Sequence, residues 1–252
     1  MALASNPYES LPEESKRWLI DVYARARVAI KAALDQHGRA PGLGRAIARA
    51  RIAFLDDELR PIAERVSRAG TPVDCRRGCS SCCTLKVEIT PDEVFALVAE
   101  LNATLDPASL AEARRRAEDV DWRGRFLPPM DRYLLRLSCP VLDEVSGACR
   151  AHAARPAPCQ GYLALDHLRC EASSRGEPAI ILKPVGADLV RDAVMSAQIV
   201  ELQEAGYDQS RIELSAGLAA AWADPGAEQR WLAGGQAFTS ALRAAPSAAA
   251  AV

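Results

Sequence analysis

The chain has 252 residues, 49% of them apolar and 25% charged, which is enough hydrophobic material for a packed core and excludes wholesale disorder. Thirty-one Lys and Arg against 33 Asp and Glu leave a net charge of −2, so there is no global basic field for nucleic acid or an anionic membrane. Forty-eight Ala, and 27 Arg against only 4 Lys, with aromatics at 5%, tilt the composition towards helix.

In chain order, the first ten residues lack the basic-then-apolar pattern of a secretory signal. No later stretch approaches the roughly 20 apolar residues that a membrane span needs. The expected location is therefore the cytoplasm, with reduced thiols and no membrane partner. Ser10-Leu-Pro-Glu13 has the form of a capping box. Leu19, Val22, Tyr23, Ala26, Ile30 and Ala33 then recur at helical spacing up to His37-Gly38. A second helix is predicted from Leu43 to Arg68, with Ile47, Ala50, Ile52, Leu55, Leu59, Ile62 and Val66 inward. Residues 1–72 thus read as an N-terminal helical hairpin.

Cysteines begin at residue 75, and the alternating run Leu85 to Thr90 predicts a short strand. Thr90-Pro-Asp-Glu93 is a second capping box with Pro in the first helical position, launching a helix to about Asn102. Asp106-Pro107 starts another through Asp119, a polar connection follows to Pro129, and a short helix is expected near Asp131–Arg136. Beyond the cysteines, Ala179 to Leu182 reads as a short strand. Residues 186–205, 211–222 and 227–241 read as helices, and the Ala-rich stretch 244–252 as a disordered tail. The expected fold is mainly α, with helical flanks around a loop-rich, Cys-coordinated metal centre and at most short strands. Its units would be the hairpin, a cysteine-cluster metal-binding domain over 73–172, and a C-terminal helical segment over 173–243.

All eight cysteines lie between residues 75 and 170. Cys75, Cys79, Cys82 and Cys83 fall within nine residues, so a tight turn can aim successive sulfurs at one centre. Gly78 can take the positive φ that such a turn needs. Adjacent Cys82 and Cys83 cannot easily point the same way. Cys139, Cys149, Cys159 and Cys170 then recur at intervals of ten, ten and eleven residues. In a chain of this length, without a signal sequence, such thiols point to metal before disulfides. Ligand supply predicts that the two regions meet in space around one centre or a close pair, because the first turn strains to deliver Cys83 to the ion held by its neighbours. Eight thiolates could close two tetrahedral sites, and their buried negative charge calls for donors such as Arg76, Arg77, Arg150 and Arg155. His152 and His167 read as hydrogen-bonded neighbours rather than as required ligands.

This arrangement resembles the CxxCxxCC cysteine-cluster family of zinc- or iron-chelating domains (YkgJ-like proteins). The resemblance rests on Cys75 to Cys83, on Cys139-Pro-Val-Leu142 with Cys149, and on Arg155-Pro-Ala-Pro-Cys159, and it extends to Tyr162, Asp166 and Cys170. The first spacing is three residues rather than two, and His152 stands where an aromatic is common. The resemblance implies a metal-binding protein with all eight cysteines as candidate ligands and Arg155 and Tyr162 beside the cofactor. That cofactor would be iron, as ions or as a 4Fe–4S cluster, or zinc, with iron slightly preferred because the thiols exceed four. It extends more loosely to the flagellin lysine methylase, so the alternative is an iron–sulfur enzyme acting on a protein partner or substrate. The CxxxCxxC spacing of Cys75, Cys79 and Cys82 matches that of radical-SAM clusters, but the chain lacks the alternating strands and helices of their barrel. No dinucleotide loop, phosphate-binding P-loop, zinc-protease helix or nucleophile elbow is present.

Overall fold

Helix α1 (Glu13–His37) begins where Pro12 stands at the N-cap. The Ser10 capping box is therefore not formed, because Glu13 is already the first helical residue and sits too early to act as the third. Gly38, at φ 68°, ends the helix. Helix α2 (Leu43–Arg68) has the expected bounds. The computed structural model describes residues 8–241, so the tail expected over 244–252 lies outside the described residues.

The spacing of apolar residues decides what these helices bury. Leu19, Val22 and Ala26 of α1 meet Leu55, Leu59 and Ile62 of α2. They also meet Ala187, Val190, Val194 and Ala197 of α8 (Ala187–Glu204), closing one apolar cluster. The second and larger cluster is built on α3 (Pro91–Thr104), whose Thr90–Glu93 capping box forms as read. Phe95 of α3 packs its ring 5.4 Å from Trp231 and 5.1 Å from Phe238. Trp231 lies in α10 (Ala227–Leu232), and α9 (Leu214–Ala223) supplies Leu214, Ala216 and Leu218 to the same core.

Helix α4 (Pro107–Gly124) is capped by Asp106, whose carboxylate accepts from the amides of Ala108 and Ser109. It runs five residues past Asp119, where Val120 and Asp121 are buried, so the first part of the expected polar connection is helical and 125–128 remain a turn. Helix α5 (Pro129–Leu134) follows. Two helices that sequence reading did not find, α6 (Ala157–Gln160) and α7 (His167–Ser174), lie inside the second cysteine region.

Among the described residues the sheet is two strands: β1 (Glu88–Ile89) paired antiparallel with β2 (Ile212–Glu213), with Ile89 opposite Ile212. The run 85–90 keeps only two strand residues, and 179–182 is not a strand at all. The helix expected over 227–241 stops at Leu232, and Gly234 at φ 87° follows its end. The structure is 61% helical and mainly α. No helix among the described residues is long and apolar enough to cross a membrane. The cysteine region rests against the larger core, where Ala151 and Ala154 are buried and Cys139 and Cys149 pack on its edge.

Candidate metal centre

Each cysteine is placed by short-range chemistry. Gly78 adopts φ 92°, and the Cys79 amide donates to the Arg76 carbonyl at 3.0 Å, making the turn that the sequence suggested. Cys82 and Cys83 lie on one 3₁₀ turn, Ser81–Thr84. The Cys139 amide donates to the Cys83 carbonyl at 2.7 Å, so the two cysteine regions meet backbone to backbone. From Cys139 the chain turns back on itself. Leu142 bridges Cys149, and the Asp143 carboxylate accepts from the amides of Val145 and Ser146. Cys159 rides on α6, started by Pro156, and Cys170 on α7, capped by Asp166.

Seven of the thiols (Cys75, Cys79, Cys82, Cys83, Cys139, Cys149 and Cys159) line one cavity of about 320 Å³, together with Arg155 and Tyr162. A smaller cavity beside it is bordered by Cys82, Cys170, Tyr133 and Tyr162. All eight cysteines are free thiols. Among the described residues no three His, Cys, Asp or Glu side chains already form a metal-holding group, so the thiols gather without closing a cage.

The electrostatics show what such a group costs and what it suits. Burial pushes up the thiols of Cys75, Cys149 and Cys159, that of Cys139 to about 12 and that of Cys170 to about 11. Charge on neighbouring cysteines adds to the effect, because several thiolates in one low-dielectric pocket repel. Cys159 presents surface to the cavity yet is enclosed by protein, and its thiol stands well above the ordinary range. A hydrogen bond between neighbours holds Cys82 down to about 7 and Cys83 up. Burial also raises the Tyr162 hydroxyl to about 12. A cation removes this cost, since metal binding deprotonates its thiols and supplies the missing positive charge. The donors present fit the anionic centre that would result. Arg132 Nε and Arg155 Nε are buried without an acceptor, beside Cys139 and Cys149 respectively.

Three arginines hold the cysteine segments from the flanks, and sequence reading named none of them. Arg51 of α2, fully buried, donates to Gln160 Oε1 at 2.9 Å and to the Arg155 carbonyl at 2.7 Å. Arg116 of α4 donates to the carbonyls of Leu142 at 2.7 Å and Cys139 at 3.0 Å. Arg132 of α5 reaches the carbonyls of Thr84 at 3.2 Å and Leu137 at 2.7 Å, tying the first cysteine turn to the start of the second region. Glu93, besides capping α3, accepts from the Ala157 amide at 2.8 Å and so caps the start of α6. One signal was legible: Arg51 falls four residues after Ile47 and four before Leu55, on the apolar stripe of α2.

The arginines that were read beside the cysteines are mostly engaged elsewhere. Arg155 pairs with Asp56 at 3.0 Å and contacts His152. Arg76 pairs with Asp74, and Arg150 with Glu112. His167 bonds the Asp74 carboxylate through Nδ1, fixing the residue before Cys75. His152 is pushed down by burial and by the Arg155 charge.

A helical frame presenting clustered free thiols to one cavity has the donor set of a metal-chelating cysteine domain. Residues 74–175 match the family model CxxCxxCC, described as "Putative zinc- or iron-chelating domain". No curated protein and no solved structure matches the chain.

Proposed function

We propose that this protein chelates iron or zinc through Cys75, Cys79, Cys82, Cys83, Cys139, Cys149, Cys159 and Cys170. One observation carries the reading: segments with 55 residues between them converge, through the Cys139–Cys83 hydrogen bond, on a single cavity lined by seven thiols. Burial makes Cys75, Cys139, Cys149 and Cys159 poor anions alone and good ligands once a cation arrives. Arg155 and Tyr162 border the same space and give the sulfurs a cation and a polar wall. Iron is preferred over zinc because the thiols exceed the four that one structural zinc ion needs.

Elemental analysis with visible spectra of anaerobically purified protein tests this. Stoichiometric iron with sulfur-to-iron absorption is the expected result, and colourless protein carrying zinc would revise only the metal. Cys79→Ser and Cys159→Ser should each lower the metal content. Protein that carries only trace metal, and takes up neither ion on anaerobic reconstitution, would overturn the reading.

A further inference from the structure

The eight thiols do not form one undivided group. Cys75 accepts from the Ala164 amide at 3.1 Å, and Asp74 beside it is tied to both Ala164 and His167. This pins the first turn to the segment that leads into α7, which carries Cys170. Helix α7 also packs against the 3₁₀ turn bearing Cys82. Cys82 and Cys170 border the same smaller cavity. On the other side, the Cys83 carbonyl holds the Cys139 amide, Cys149 is bridged to the same turn, and Arg51 anchors the chain entering α6 and Cys159. Cys159 lines the same cavity as Cys83, Cys139 and Cys149. Cys82 borders both cavities and so stands at the boundary.

We infer that the chain builds two metal centres, an outer one from Cys75, Cys79, Cys82 and Cys170 and an inner one from Cys83, Cys139, Cys149 and Cys159, with the adjacent pair Cys82–Cys83 as the wall between them. This rests on the reading of the cavity as a metal site. It explains why two adjacent cysteines occur on one tight turn: consecutive side chains aimed apart serve two centres, where they could not easily serve one. Each group supplies the four sulfurs of a closed tetrahedral site. The groups also differ in anchoring more than in exposure, since Cys170 of the outer one is buried and Cys159 of the inner one is exposed. Cys75 is exposed on a surface loop, whereas Cys139 and Cys149 pack against the larger core under the carbonyl clamps of Arg116 and Arg132. The inner centre is therefore structural and the outer one exchangeable.

Anaerobic titration with Co²⁺ reports tetrahedral thiolate sites by their visible bands, and native mass spectrometry counts the ions. The wild-type chain should bind two equivalents, and a chromophoric chelator should remove them in a fast and a slow phase of equal amplitude. Cys79→Ser and Cys170→Ser should each abolish the fast phase and keep the slow one, and the double variant should behave like either single. Cys149→Ser and Cys159→Ser should abolish the slow phase. Should these inner variants fail to fold, the wild-type count and the two outer variants still decide. One equivalent in the wild type, lost in every variant, would overturn the two-centre inference and leave metal chelation standing. No Co²⁺ bound at all would overturn both.

Discussion

Arg51 shows most sharply how single residues govern this site. Its guanidinium is buried against Gln160, the Arg155 carbonyl and Glu93, whose carboxylate stands 3.7 Å away. Arg51→Met should destabilise the protein by about 3–5 kcal/mol in urea unfolding, because it leaves Glu93 uncompensated and two acceptors unpaired. Arg51→Lys should recover only part of this, since an ammonium cannot reproduce the planar fork. Asp92 offers a pH test. Burial raises its carboxyl to about 6, with Glu93 adding to the shift, while Gln198 donates to it at 2.7 Å. The folded state therefore holds a proton that the unfolded chain releases near pH 4. The stability this contributes is full below about pH 4 and is lost as pH rises through about 6. Asp92→Asn removes that dependence. In chelator-treated protein the variant should gain on the wild type by a few kcal/mol between pH 4.5 and pH 7. A parallel pH dependence in both proteins would refute the assignment.

Close backbone contacts set the relation between neighbouring elements. The turn at Gly78 rests on the loop at Gly147, where a β-carbon would lie 2.4 Å from the Gly78 carbonyl oxygen, and Gly147 itself has φ 66°. Gly38 has a similar φ of 68° but nothing within 4 Å of the same position. Gly38→Ala should thus cost only about 1 kcal/mol, the conformational penalty. Gly147→Ala should cost roughly 2–4 kcal/mol and also weaken metal retention, because the two cysteine loops must part. Thermal or urea unfolding of both variants checks the contrast, and equal costs would mean that the loops shift freely. At this scale the sequence was readable where the signal is local. Thr90 to Glu93, Asp106-Pro107 and Gly38 act within four residues, and their helix ends stand as read. The short helices α6 and α7 were missed because four and eight residues carry too little periodicity, and tertiary contacts such as Glu93 on the Ala157 amide hold the first.

Across the whole molecule, the two apolar clusters are formed by α1, α2, α3, α8, α9 and α10 with little help from the thiols. Chelation should therefore lower the thermal midpoint while keeping most of the helical circular dichroism. Hydrogen exchange in chelator should lose protection over 73–85 and 139–175 and retain it in α2, α3 and α8. Collapse of all helices together would show instead that the metal organises the entire fold. What the sequence by itself determined is the helical frame, from apolar spacing and capping, and the thiol supply, from the density of cysteines between residues 75 and 170. Which sulfurs neighbour which, and which arginines hold their loops, only the tertiary structure decided. The physical reason is distance along the chain: the Arg51 bond to the Arg155 carbonyl joins residues 104 apart. No local hydrogen-bonding rule or helical period extends that far, so such a pairing exists only once the cores have brought the segments together.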